Sequence, residues 1–339
     1  MRSVYLRQLF FYSKMNEQKL KEILNAAFFQ RDKVEIQAPL ITIQDKIIAH
    51  PESIICIAGL PKARKTTWLF NFIAAATTGK EYFNIKAEKG KVILIDTEQS
   101  KQDHLKAIER AEKLINKEFN KQLFTSFCFR KYSLDEILQC IVPIMNKFKP
   151  KYLILDALTE LVLNLNDMEE SKKLVEFLKF ISSEYNCVII GIMHLAKSSN
   201  FTAGALGSAI DRVCQSLLTV TKDETGASIL SAKYLRSDEH FKDIAINYDS
   251  EAKTLIEVEH TPSEKVQKWS DKTKVEHWNI CETIYENQKS FVYSAVIDNL
   301  KSMYGRGETI TRREILPYLI SQKFIVNTGN GYVKGKFTK

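Results

Sequence analysis

Between residues 53 and 194 the chain alternates two hydrophobic patterns. Short unbroken apolar runs occur at "SIICIAG" (53–59), "KVILIDTE" (91–98), "YLILDAL" (152–158) and "CVIIGIMH" (187–194), with "FTSFCFR" (124–130) as a further candidate strand. None shows the every-second-residue polarity of a half-exposed strand, so each is expected to be buried on both faces, as in a parallel sheet covered by helices. The stretches between them repeat their apolar positions every three or four residues. They predict helices over 65–79, stopped by Gly79, over 101–119, over 134–150, kinked or broken near Pro143, and over 168–185.

The flanks complete the pattern. Residues 15–30 place Leu20, Ile23, Leu24, Ala27 and Phe28 at helical spacing ahead of the core. Residues 214–237 predict strands joined by a turn at "DETG", and 241–258 a further hairpin, both as antiparallel additions at one sheet edge. The polar stretch 259–274, which contains Pro262, reads as a linker. Beyond it come three helical patterns, "VEHWNICETIYEN", "SAVIDNLKSMY" and "TRREILPYLISQ". In the third, Thr311 and Glu314 have capping-box spacing, and Pro317 is expected to kink or split the helix. "KFIVNTGNGYVKGKF" then reads as a hairpin turning at "NTGNG". The expectation is an α/β protein with four parts: a helical lead (1–44), a core domain (45–258), a linker (259–274) and a small winged-helix-like domain (275–339).

Composition narrows the setting. The 339 residues are 45% hydrophobic with only 12 Gly and 7 Pro, which is globular and long enough for a large core. No apolar run reaches 18 residues, so no membrane span is expected. The opening "MRSVYLRQLFFYSK" is interrupted by Arg7 and Gln8 and is followed by no small-residue cleavage site, which argues against a signal peptide. Six scattered cysteines without a C-x-x-C pair point to a reducing cytoplasm and away from disulfides or zinc. The net charge of +8 is compatible with a polyanionic partner; residues 263–339 hold 13 Lys and Arg against 8 Asp and Glu, most of that surplus.

The candidate chemistry starts at "GLPKARKTT", where Gly59, Leu60, Pro61, Lys62, Ala63, Arg64, Lys65, Thr66 and Thr67 follow a strand and open a helix. This is the phosphate-loop pattern G-x-x-x-x-G-K-[ST], except that Arg64 replaces the second glycine. Backbone N–H groups at such a helix start favour anions. Lys65 would reach the outer phosphates and the Thr66 hydroxyl would bind Mg²⁺. The Arg64 amide is still present, so the cradle survives if its side chain points outward. Asp156 ends an apolar strand, where a carboxylate can hold a Mg²⁺-bound water. Glu98 ends another and would orient an attacking water as general base. His194 ends a third. Four strand ends on one edge form the crevice in which open α/β sheets bind ligands.

The order "GLPKARKTT", "LIDTE", "LILD", "IIGIMHLAK", "GALGSAIDR" and "AKYLRSD" resembles the RecA-like ATPases over about residues 45–258. Within them it is most similar to the RepA/DnaB-type hexameric helicase branch and to RecA-like ATPases carried on bacterial plasmids and mobile elements. The resemblance implies ATP and Mg²⁺ as cofactors, Glu98 as catalytic base, Asp156 as the metal-side carboxylate and His194 as a γ-phosphate sensor. It implies that Lys233 and Arg236 reach into a neighbouring subunit's site. It also implies a channel loop, "KSSNFTAG", whose Lys197, Ser198, Ser199 and Asn200 touch single-stranded DNA inside a homo-oligomeric ring, a hexamer in this branch. Duplex DNA is expected at the C-terminal domain, through Arg312, Arg313, Lys334 and Lys336. Two departures from the family stand out: Arg64, and the acidic "LNLNDMEE" after Asp156. The leading expectation is a Mg²⁺-dependent, ATP-hydrolysing, DNA-associated motor, a replicative helicase of a plasmid or mobile element. The alternative is an ATP-binding, DNA-binding initiator or regulator with weak or no hydrolysis. A small-molecule kinase leaves Glu98, His194 and the Lys233/Arg236 pair without a role.

Overall fold

The computed structural model describes residues 37–195, 202, 204–223, 225–251, 254–260 and 269–336. The helix expected over 15–30 and the channel-loop residues Lys197, Ser198, Ser199 and Asn200 lie outside the described residues. The chain divides into two compact units, residues 1–260 and 261–339.

In the first unit two short strands, β1 (Ile41–Ile43) and β2 (Lys46–Ala49), pair antiparallel. Gln44 and Asp45 turn between them with φ of 48° and 60°, the left-handed geometry a tight hairpin needs. β1 also pairs with β4 (Ile85–Ala87).

The main sheet has nine strands. Six run parallel: β3 (Ile54–Gly59), β5 (Val92–Asp96), β6 (Phe124–Cys128), β7 (Tyr152–Asp156), β8 (Val188–His194) and β9 (Ser216–Lys222). An antiparallel extension follows through β10 (Ser228–Leu235), β11 (Ile244–Asp249) and β12 (Thr254–Val258). The strand order is β12-β11-β10-β9-β3-β8-β7-β5-β6. β9 was expected to join the antiparallel additions. It is instead a parallel neighbour of β3, because α5 (Gly204–Val213) supplies the crossover from β8.

Four more helices cover the sheet: α1 (Lys65–Thr78), α2 (Lys101–Ile115), α3 (Leu134–Phe148) and α4 (Met168–Glu184). Successive strand residues point to opposite faces. Ile55 and Ile57 of β3 therefore pack with Trp68, Leu69 and Ile73 of α1, while Ile54, Cys56 and Ala58 pack with α3, α4 and α5. α3 runs through Pro143 without a break; the proline sits on the exposed side. Among the described residues no helix is long and apolar enough to cross a membrane.

The second unit orders its elements as α6 (Lys274–Ile284), β13 (Ser290–Phe291), α7 (Tyr293–Tyr304), a third helical stretch, β14 (Ile325–Asn327) and β15 (Tyr332–Lys334). The sheet order is β13-β15-β14, all antiparallel. A complete capping box starts α6, with Thr273 and Glu276 bonded reciprocally. The third helical stretch differs from expectation. It starts at Glu308, so Thr311 is not its cap: Thr311 is buried and its hydroxyl donates back to the Gly307 carbonyl at 3.1 Å. A π-helical turn at Thr311–Ile315 leads into helix Leu316–Ser321. Pro317 falls in the first turn of that last segment, where a missing N–H costs least.

Candidate nucleotide-binding site

The site is built where β3, β5, β7 and β8 end on the same sheet edge. Gly59 closes β3 beside β9; a Cβ there would sit 2.5 Å from the Val220 carbonyl oxygen, which excludes any other residue without a backbone shift. The loop to α1 passes through the left-handed region twice, at Lys62 (φ 65°) and Arg64 (φ 69°). Arg64 thus holds the backbone conformation that favours glycine, at a cost of about 1 kcal/mol. Its guanidinium turns outward and donates to Asn247 Oδ1 on β11 at 3.2 Å, leaving its backbone in the cradle. The Ala63 carbonyl is anchored by Ser228 Oγ at 2.9 Å, and Ser228 in turn accepts from the buried Trp68 indole at 3.1 Å. Among the described residues, the amides of Arg64, Lys65 and Thr66 donate to no protein acceptor, and they sit where the first turn of α1 favours an anion.

Lys65 is almost entirely buried. Its ammonium donates to the carbonyls of Gly59 (3.0 Å) and Leu60 (3.1 Å) and to His194 Nδ1 (3.2 Å). Accepting at Nδ1 leaves the neutral His194 its proton on Nε2, which faces Glu98 Oε1 at 3.3 Å. Lysine, imidazole and carboxylate form one chain. Burial lowers the Lys65 pKa, while Asp156 and Glu98 pull it back up.

Thr66 Oγ1 donates to Asp156 Oδ2 at 3.3 Å. Asp156 is buried and its pKa is pushed up to about 7, first by burial, then by the nearby carboxylates of Asp96 and Glu98. That value lies above the ordinary 3.8. The folded chain therefore keeps this proton between about pH 4 and about pH 7, where the unfolded chain has lost it, and stability from this group falls as pH rises through that window. Asp156→Asn should flatten that part of the profile. Ligand-free melting temperatures at about pH 5 and about pH 7 should diverge less in the variant than in the parent. Equal slopes would mean that Asp156 does not carry the proton.

The residues present fit a nucleotide with a divalent ion. The open amides and Lys65 match phosphate oxygens. Among the described residues no three His, Cys, Asp or Glu side chains cluster to hold a metal. An ion here would take the Thr66 hydroxyl, a water held by Asp156 and phosphate oxygens, the sparse protein ligation typical of Mg²⁺.

Sequence reasoning missed a buried group behind this edge. Asp96 accepts from the amides of Glu98 (3.0 Å) and Gln99 (2.9 Å), while its other oxygen meets His104 Nδ1 at 2.8 Å. His104 Nε2 meets Ser126 Oγ at 3.0 Å. The loop carrying Glu98 is thereby fixed to β5, α2 and β6. "LIDTE" displayed Asp96, but nothing in sequence spacing linked it to His104 or Ser126.

The other expected site residues are not brought to this edge. β10 runs antiparallel to β9, so Arg236 lies toward the opposite end of the sheet, while Lys233 is level with Cys56 and Ile57, midway along β3. Arg236 lies past the first residues of β3, roughly 17 Å along the strand from Gly59. Its amide bonds to the Gln215 carbonyl and its guanidinium to the Arg212 carbonyl. In the second unit Arg312 pairs with Glu308 (2.5 Å) and lies over the Tyr293 ring, and Lys334 pairs with Glu282 (3.6 Å). Arg313 and Lys336 are exposed.

Among solved structures, a KaiC-like protein from the hyperthermophilic archaeon Pyrococcus horikoshii is similar at 13% identity and a TM-score of 0.45, covering 62% of this chain and 90% of that one. Comparison with curated protein sequences gives no match. The sheet order, the loop after β3 and the carboxylates ending β5 and β7 make an α/β core of mostly parallel strands with a phosphate-loop-like strand–loop–helix at its edge. A family model for an AAA domain, AAA_25, matches residues 20–200, more than half of the chain. The chain belongs to that AAA domain family and is a nucleotide-binding ATPase.

Proposed function

We propose that this protein is a Mg²⁺-dependent ATPase that hydrolyses ATP while engaged on DNA, as a ring-forming helicase of the RepA/DnaB type carried by a plasmid or mobile element. The observation that supports this reading best is the continuous Lys65–His194–Glu98 chain beside the Thr66–Asp156 pair. Glu98 is about two-fifths exposed, so its carboxylate can accept a proton from an entering water. His194 links that carboxylate to the lysine at the outer phosphates, so loss of the γ-phosphate would be felt at both ends. Mg²⁺, when bound, neutralises charge on the phosphates. Arg236 is too far from its own loop to assist it, and Lys233 lies two strands over from β3. On this reading they act on the site of an adjacent subunit.

A second reading, an ATP-binding initiator or regulator with little hydrolysis, draws support from Arg64. Tied to Asn247, it fixes a loop that glycine would leave adaptable. In either reading the C-terminal unit serves as a DNA-binding module. Its order of helix, strand, two helices and hairpin is the order of a winged helix, and its exposed Arg313 and Lys336 would meet phosphates.

The test is ATP turnover with and without single-stranded DNA, alongside sizing with and without nucleotide. DNA-stimulated turnover in a nucleotide-dependent oligomer is the expected result. Slow turnover indifferent to DNA would favour the regulator, and phosphorylation of a metabolite would remove both.

A further inference from the structure

The stripe that α2 buries consists of His104, Ala107, Ala111 and Ile115. The other three are apolar, so packing on the sheet does not itself call for an imidazole at the first position. His104 is only 6% exposed, and both of its ring nitrogens are engaged. Nδ1 faces Asp96 Oδ2 at 2.8 Å and Nε2 faces Ser126 Oγ at 3.0 Å. A carboxylate oxygen accepts, so Nδ1 carries the proton, and Nε2 of the uncharged ring accepts from the serine hydroxyl. Burying such groups opposes folding unless each is paired, and here the pairs run in series. They start on the edge strand β6, pass through α2 and end on the last residue of β5.

The far end of the series holds the Glu98 loop. Asp96 Oδ1 accepts from the amides of Glu98 and Gln99. Cys128, also on β6, donates its thiol to the Gln99 carbonyl at 3.4 Å. On the other side of Glu98, the Thr97 amide and hydroxyl both donate to the Asp156 carbonyl, at 2.7 and 3.1 Å. The backbone is thus held at both neighbours of Glu98, once to β7 and once to β5 and β6. The hold through Thr97 is direct. The other depends on where the Asp96 carboxylate points. Among the described residues, His104 is the hydrogen-bond partner of Oδ2. Without that donor Oδ2 is a buried acceptor left unpaired, and the carboxylate turns away from the two amides to find a partner. We propose that His104 is a positioning residue for ATP hydrolysis: on the reading of Glu98 as general base, it fixes the Asp96 carboxylate, which fixes the Glu98 backbone and so aims the Glu98 side chain at the attacking water. His104 bonds to no residue of the phosphate loop, so its effect falls on the chemical step and not on nucleotide binding. Misplacing a reacting group by about 1 Å can cost about 10²-fold in rate.

The experiment is a double-variant cycle on the full chain, with kcat for ATP, affinity for ATPγS and ligand-free melting temperature measured for each protein. His104→Leu should lower kcat by about 10- to 100-fold and leave ATPγS affinity within about twofold of the parent. His104→Asn, whose carboxamide nitrogen can stand where the ring holds Nδ1, should restore most of the rate although it gives up Ser126. In the Glu98→Gln background His104→Leu should cost nothing further, because a residue that acts through Glu98 has no effect once Glu98 is gone. An equal fall in both backgrounds, or an unchanged kcat in His104→Leu, would overturn the positioning role and leave Glu98 as the base. Matched losses of rate, affinity and melting temperature without rescue by asparagine would make His104 a structural residue and overturn the role as well. Parent-rate turnover in Glu98→Gln alone would remove the base and the positioning role together.

Discussion

Replacing Lys65 with alanine should reduce ATP turnover by at least about 10²–10³-fold, the loss seen when one preorganised donor to developing charge is removed. Lys65 is the cation inside the loop, and its ammonium is already desolvated. In the ligand-free chain it is held by two backbone carbonyls and an imidazole, all neutral acceptors. A triphosphate would replace that weak solvation with strong charge-assisted bonds. The gain grows in the transition state, where charge shifts on the transferring group. The fold should tolerate the change. Lys65→Met, which keeps the aliphatic stem, should show this as a melting temperature near the parent's. Turnover at the parent rate in either variant would remove the phosphate-loop assignment. Loss of activity together with a lower melting temperature would make Lys65 a structural residue.

Glu98→Gln should retain nucleotide affinity while turnover falls by about 10²–10⁴-fold, the usual span of a general-base contribution. The amide keeps the shape and can still accept from His194 Nε2, but it cannot take a proton from water. Asp96 makes this a clean substitution. It holds the amides of Glu98 and Gln99, so the loop geometry does not depend on the Glu98 side chain. Turnover and nucleotide affinity should be measured in the same preparation. Normal turnover would place the base elsewhere. A matched loss of affinity would show that Glu98 contributes to binding rather than to proton transfer.

Legibility in the sequence followed the physics of each feature. The parallel strands were readable because burial on both faces leaves a continuous apolar run, as in β3, β5 and β7, where every residue is buried. The residues ending β7 and β8 were readable because strand direction places carboxyl ends together. β1, β2 and β4 were not: strands of three or four residues are too short to show a period. The position of Lys233 and Arg236 needed the direction of β10, which hydropathy does not encode. Asp96, His104 and Ser126 come from a strand, a helix and another strand, and only the packing of α2 on the sheet brings them together.

The bond between Arg64 and Asn247 has a kinetic consequence. A glycine at this place would let the phosphate loop open alone. Arginine instead joins the loop to β11, so loop and hairpin move as one body. Opening must then either break that side-chain bond or carry the hairpin along, which is expected to lengthen the residence time of whatever the loop holds. In a turnover cycle that bond is expected to slow product escape, which a burst of product in the first round would show.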